Sequence, residues 1–172
     1  MIFTRCRKTQ LQQVFGFYRE VVKHLEATVN YPKWDDDRPT AQGLSDAIDH
    51  GELYILTDGD EIVGAVALGE DPEGDYGVGE WSVSLERGEY LTVHLFAVRP
   101  AYAHRGIGNQ MVRECIRVAK ENGYRAIRLD TVPDNHPANA LYVKNGFTYA
   151  GTKDIRRGIP QIPVFNLYEL NF

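Results

Sequence analysis

The sequence predicts an α+β (mixed α/β) fold. Helix-like and strand-like segments do not alternate throughout, as they do in a purely α/β chain. Two apolar runs flank Asp58-Gly59-Asp60, the pattern of a tight β-hairpin. A long apolar strand, a glycine-containing junction, a helix and a second strand follow one another over residues 90–132, as in a parallel crossover.

Each element has its own signal. Residues 2–7, IFTRCR, alternate and read as a first strand. Leu11, Val14, Phe15, Tyr18, Val21, Val22 and Leu25 recur at helical spacing and predict an amphipathic helix over 9–28. The segment NYPKWDDDRPT, residues 30–40, breaks it with two prolines and an acidic run. A second helix starts near Thr40 and ends before Gly51, turning Leu44, Ala47 and Ile48 inward. The hairpin occupies 52–70, and a loop rich in Gly, Asp and Glu covers 71–80. WSVSL (81–85) and YLTVHLFAV (90–98) read as two further strands, the second apolar enough to be central. Ile107, Met111, Val112, Cys115, Ile116, Val118 and Ala119 predict a helix stopped by Asn122-Gly123. AIRLDTV (126–132) is a strand. Residues 134–147 form a short helix with Pro137 in its first turn and Gly146 just past its end. FTYAG and VFNLYEL are two closing strands.

Length and composition bound the function. The 172 residues suit one domain spanning 1–172, with 43% hydrophobic and 25% charged residues, as in ordinary globular chains. No apolar run reaches the length of a bilayer span, and MIFTRCRKTQ lacks the apolar stretch of a secretion signal. Cys6 and Cys115 have no metal-ligand spacing, so two free thiols in a reducing, cytoplasmic setting are expected. The net charge of -5 argues against a general nucleic-acid binder and slightly favours a cationic or neutral substrate. It leaves room for a local anion site, because backbone amides bind phosphate without net positive charge. His24, His50 and His136 show no ligand spacing, so no metal site is expected.

The chemistry concentrates in RPAYAHRGIGNQM, residues 99–111. Glycines between a strand and a helix mean a tight turn or the close approach of a ligand. A Walker loop needs four residues between its glycines, then Lys and Ser or Thr, which this segment lacks. A dinucleotide fingerprint needs a third glycine, and Met111 stands where the spacing puts it. Two readings remain: a plain helix-start turn, or a short loop whose amides face a pyrophosphate. In the second, the helix dipole contributes about 0.3–1 kcal/mol, and Arg105 adds a charge-assisted hydrogen bond.

The chain resembles the GNAT superfamily of N-acetyltransferases, small bacterial-type members in particular. The resemblance lies in Val98-Arg99-Pro100 followed by Ala103-His104-Arg105-Gly106-Ile107-Gly108. It continues in Asn135-His136-Pro137-Ala138-Asn139-Ala140-Leu141-Tyr142 and in Gly146-Phe147, and covers about 52–170. It implies the GNAT-like acyl-CoA N-acyltransferase fold: a mixed, mostly antiparallel sheet of about seven strands with four helices. It also implies acetyl-CoA as cosubstrate, without a metal, and direct transfer to a primary amine of a small molecule or protein through a ternary complex. Ala103 departs from the pattern, which prefers Arg or Gln there as a pyrophosphate contact.

Carried onto this sequence, the resemblance assigns the Phe96 amide to the thioester oxygen, with Ala97 and Val98 along the pantetheine arm. His104, Arg105, Gly106, Ile107, Gly108 and Asn109 cradle the pyrophosphate, and Asn135 and Ala138 face the pantetheine or acceptor side. Tyr142 is the candidate general acid, against the alternative of a core aromatic. For the base, Thr92, His94 and Phe96 share a strand face by period two. Many histone-modifying relatives have Glu where Thr92 stands, so that base is missing. Histidine as a residue type titrates near 6.5 in water, so a His at position 94 suits proton removal directly or through water; an unassisted water relay is the alternative. Glu80 and Glu89 flank the region without any spacing that selects them.

Tyr31, Trp34 and Asp35-Asp36-Asp37 lie in a segment that lines the acceptor pocket in the family, with Thr92 on the substrate side. The alternative is a solvated acidic loop with Trp34 packed inward. Arg156 and Arg157 in the expected hairpin loop IRRGIP would favour a carboxylate-bearing acceptor, against the acidic triplet. The acceptor loops are 28–40, 71–80 and 153–162. The family also allows a homodimer. The runner-up function is a catalytically weak CoA-binding sensor or interaction module; a third reading is a scaffold whose glycines only turn the chain.

Overall fold

The computed structural model describes residues 1–172. The strands are β1 (Ile2–Arg5), β2 (Leu53–Asp58), β3 (Glu61–Gly69), β4 (Tyr90–Val98), β5 (Ala126–Thr131), β6 (Thr148–Lys153) and β7 (Phe165–Asn171). The helices are α1 (Leu11–Ala27), α2 (Ala41–Asp49), α3 (Ile107–Glu121) and α4 (His136–Lys144). The strand order is β1-β2-β3-β4-β5-β7-β6. β4 and β5 are parallel over Tyr90–Val93, whereas β1–β2, β2–β3, β5–β7 and β6–β7 are antiparallel. The mixed sheet with four helices is therefore the expected architecture.

The chain packs as two units, Met1–Leu68 with His94–Met111, and Gly69–Val93 with Val112–Phe172. In the first, α1 buries Val14, Phe17, Tyr18, Val21 and Val22, and α2 buries Leu44 and Ile48. Both faces join Leu53, Ile55, Ile62 and Ala65 of the hairpin in one apolar cluster. Thr40 caps α2, its hydroxyl accepting from the Gly43 amide. Gly59 turns the hairpin at φ +59°, a conformation glycine adopts without steric cost. Gly64 has a different reason. A β-carbon there would lie 2.3 Å from Met111 Sδ and 3.3 Å from the Ala97 carbonyl oxygen. The missing side chain lets the start of α3 sit against β3.

In the second unit, Tyr76, Leu85, Tyr90, Ala126, Ala150, Ile155, Ile162, Phe165 and Leu167 form the apolar cluster. Residues 81–85, expected as a strand, are not one. Side chains take up their backbone instead. The Ser82 amide donates to Glu169 Oε1 at 2.6 Å, and Arg128 Nη2 donates to the Val83 carbonyl at 2.6 Å. Trp81 Nε1 donates to the Tyr76 carbonyl. Alternating residues satisfied the strand pattern, but tertiary hydrogen bonds replaced a ladder. Arg128 is buried between the Trp81 and Tyr90 rings, at 4.4 and 4.5 Å, which anchors this strap.

Candidate active site

Within the first unit, β4 carries one irregular residue. Leu95 adopts φ +52°, rare for a residue with a branched side chain. Such a conformation costs about 1–3 kcal/mol and persists where its surroundings hold it. Here the fully buried Tyr18 donates its hydroxyl to the Leu95 carbonyl at 2.7 Å, and the Leu95 side chain packs on the apolar cluster. The period-two reading of Thr92, His94 and Phe96 fails at this point, because the left-handed residue lies between His94 and Phe96. His94, Phe96 and Val98 are half-buried, and Ala97 is buried.

After β4 a short 3-10 turn, Pro100–Tyr102, leads into the glycine segment. His104 has φ +60° and Gly106 φ +79°, so two left-handed residues flank Arg105. Alternation of right- and left-handed backbone turns successive amides toward one concavity, which suits an anion. The Gln110 amide donates to the Gly106 carbonyl at 3.1 Å. The amides of Ile107 and Gly108 come earlier in α3, where helix geometry provides no intrahelical acceptor. His104 and Arg105 are exposed, Gly108 and Asn109 are half-buried, and the Ile107 side chain is buried. A β-carbon on Gly106 would meet nothing within 4 Å. Its demand is therefore conformational, and the space in front of it is open to a ligand.

Within the second unit, Asn135 caps α4, its Oδ1 accepting from the Ala138 amide at 3.2 Å. Tyr142 is buried, with Phe147 edge-on at 5.7 Å and Tyr168 tilted at 6.2 Å. Burial, aided by Cys115 and Asp130, pushes its phenol far above the ordinary value, so it keeps its proton. Sequence reasoning missed Asn139. Its Nδ2 donates to the carbonyls of Val132, Pro133 and Asn135. Its Oδ1 accepts from Asn166 Nδ2 at 2.9 Å and the Tyr168 hydroxyl at 2.7 Å. One side chain thus ties the β5–α4 turn to β7, one helical turn before Tyr142. An asparagine between alanines inside a helix was the available signal, since Asn is a poor helix former unless its amide has partners.

Most of the expected acceptor residues make contacts within their own units. Thr92 is fully buried, its Oγ1 set against the carbonyls of Gly69 at 2.8 Å and Asp71 at 3.0 Å. Its single hydroxyl proton is spent within the fold. Trp34 packs edge-on to Tyr18 at 6.0 Å, and Asn30 brackets the Trp34 backbone. Trp34 and Tyr31 are both half-buried. The acidic triplet is exposed, and Arg19 reaches Asp36 Oδ1 at 3.3 Å. Arg157, expected to meet a carboxylate on the acceptor, meets Asp130 instead. Two hydrogen bonds of 2.5 and 2.6 Å join them, and the Tyr76 hydroxyl donates to the same carboxylate. Arg156 stays exposed, 3.7 Å from Asp75.

The model of the acetyltransferase (GNAT) family matches residues 19–147. Mycothiol acetyltransferase of Corynebacterium glutamicum (strain R) is 29% identical over 117 residues, 68% of this chain and 35% of that protein. The chain thus spans about a third of the length of the curated relatives it first matches. A GNAT-family acetyltransferase structure from Streptococcus agalactiae superposes with TM-score 0.79 at 18% identity, covering 99% of this chain and 95% of the other. PaiA N-acetyltransferase of Thermoplasma acidophilum, solved with coenzyme A, gives TM-score 0.73 at 16% identity, covering 99% and 98%.

Proposed function

This chain belongs to the acetyltransferase (GNAT) family, and we propose that it is an acetyl-CoA-dependent N-acetyltransferase acting on a primary amine. The observation that supports this most is the pair of left-handed residues, His104 and Gly106, around Arg105 at the start of α3. That backbone suits the pyrophosphate of the cosubstrate. The Phe96 amide polarises the thioester carbonyl, beyond the left-handed Leu95, and Ala97 and Val98 follow the pantetheine arm. The NH2 of Asn135 and the segment at Ala138 complete the cosubstrate contacts. The acceptor is a small amine or a protein amino group, met from the side of Tyr31. The cytoplasm is the proposed setting, with the whole chain acting as one catalytic domain.

The reaction needs a neutral amine, a polarised carbonyl and a proton for the leaving sulfur. His94 takes the proton of the acceptor, directly or through water. The amine nitrogen bonds to the carbonyl carbon, the C–S bond breaks, and Tyr142 protonates the departing thiolate. A thiolate leaves easily because its conjugate acid has a pKa near 8.5. Tyr142→Phe should therefore lower kcat about tenfold, below the usual 10²–10⁴ range for acid–base catalysis. Because burial raises the folded pKa, the phenol keeps its proton past pH 10, and an alkaline fall in rate below that pH comes from another group. A fall near pH 9 that vanishes in Tyr142→Phe would mean that burial does not raise the phenol, and a kcat unchanged in Tyr142→Phe would contradict its role as the acid.

His94→Ala should flatten the acidic limb of the kcat/KM profile; an unchanged limb removes His94 as base in favour of a water relay. Release of CoA thiol across a panel of amines tests the activity itself. Turnover with any amine supports the enzyme, while binding of acetyl-CoA with no turnover across the panel points to the binding module.

A further inference from the structure

Resting on acetyl-CoA binding at the 104–109 cradle, we propose that Tyr102 is a positioning residue that presents Arg105 to the cosubstrate pyrophosphate, with Glu61 fixing Tyr102. Ala103 brings no polar side chain, so a side-chain contact to the pyrophosphate has to come from another position of the cradle. Arg105 is the cation within the cradle sequence. Its guanidinium carbon lies 5.1 Å from the centre of the Tyr102 ring, in cation–π range. An exposed arginine otherwise samples many rotamers, and ordering a side chain on binding costs about 0.5–1.5 kcal/mol. A ring beneath the guanidinium meets part of that cost before the ligand arrives.

The ring itself is fastened. The Tyr102 hydroxyl donates to Glu61 Oε2 at 2.8 Å. The same carboxylate group offers Oε1 to Arg99 Nε at 3.3 Å. Arg99 is held in turn by the Ile62 carbonyl, by Glu20 and by the Phe17 ring. Two backbone bonds shape the turn that carries Tyr102: the Tyr102 amide to Arg99 O at 2.8 Å, and the Ala103 amide to Pro100 O at 3.0 Å. The path from the middle of α1 and the start of β3 to the guanidinium thus runs through contacts within one unit. Tyr102 touches no reacting atom; it acts through Arg105.

The test is a double-mutant cycle read by calorimetry with three ligands: acetyl-CoA, its 3′-dephospho form and S-acetylpantetheine. Tyr102→Leu should raise the dissociation constant for acetyl-CoA and for the dephospho form about fivefold, the scale of a cation–π contact. S-acetylpantetheine, which lacks the pyrophosphate, should bind both proteins equally. Tyr102→Phe, which keeps the ring but loses Glu61, should fall between. In an Arg105→Gln background, Tyr102→Leu should have no further effect. Additive losses, or an equal loss for S-acetylpantetheine, would overturn the proposal and mark Tyr102 as a fold residue. An effect on acetyl-CoA that is lost with the dephospho form would move the contact to the 3′-phosphate and also overturn it. If the unaltered protein binds none of the three, the underlying function falls with it; if it binds normally while the cycle fails, only the positioning role falls.

Discussion

Gly106→Val raises the dissociation constant for acetyl-CoA at least about a hundredfold, equivalent to about 2.7 kcal/mol of binding energy. The reason is the backbone. Gly106 sits at φ +79°, where a β-branched residue is a steric outlier. Valine would pull the segment toward ordinary torsions and turn the amides around Arg105 out of their shared concavity. The direct stability cost is confined to that strain, about 1–3 kcal/mol, because a β-carbon there meets nothing within 4 Å. Gly106→Ala, smaller but also disfavoured at this torsion, should give an intermediate loss. Calorimetry and a thermal melt on the same samples separate the two readings. A fall in Tm with nearly unchanged affinity would mean that the glycine serves the turn alone.

Asp130→Ala lowers the stability of the protein by about 3–5 kcal/mol, the usual cost of stranding one member of a buried ion pair. The side chains of Arg157 and Asp130 are only 10% and 5% exposed. Arg157 also donates to the carbonyls of Glu73 and Pro72 and lies over the Phe165 ring at 4.8 Å. Removing the carboxylate therefore leaves a cation that the surrounding contacts hold away from water. It also deprives the Tyr76 hydroxyl of its acceptor. Asp130→Asn keeps an acceptor for Tyr76 and should lose less. Urea unfolding gives the answer. A loss below about 1 kcal/mol, the scale of an exposed pair, would show that Arg157 relaxes to solvent.

What the sequence made legible was mostly local. Asp58-Gly59-Asp60 encodes its hairpin turn within three residues, and Gly123 and Gly146 follow α3 and α4 in the left-handed conformation that ends helices. The left-handed turn into α3 was legible because it needs glycine at one point and a helix start beside it. The left-handed Leu95 was not. Nothing in YLTVHLFAV marks a break, since its fastening by Tyr18 comes from 77 residues away. Residues 81–85 were misread for the same reason. Local alternation suggested a strand, while Glu169 and Arg128 decided otherwise from β7 and β5. Arg157 looked available in IRRGIP because Asp130 stands 27 residues earlier in the chain. The contact of Trp34 with Tyr18 of α1 was not legible either, since no local signal in residues 30–40 points to it. Charge and aromaticity can be read from a sequence, but whether a side chain is already engaged depends on long-range packing.

The central claim is that the 104–109 segment binds the cosubstrate. Calorimetric titration of the nucleotide-stripped protein with acetyl-CoA tests it most directly. The account predicts one-to-one binding at micromolar strength, about 8 kcal/mol of binding free energy. No binding at millimolar acetyl-CoA would contradict it, and would leave the likeness to acetyltransferases as one of fold alone.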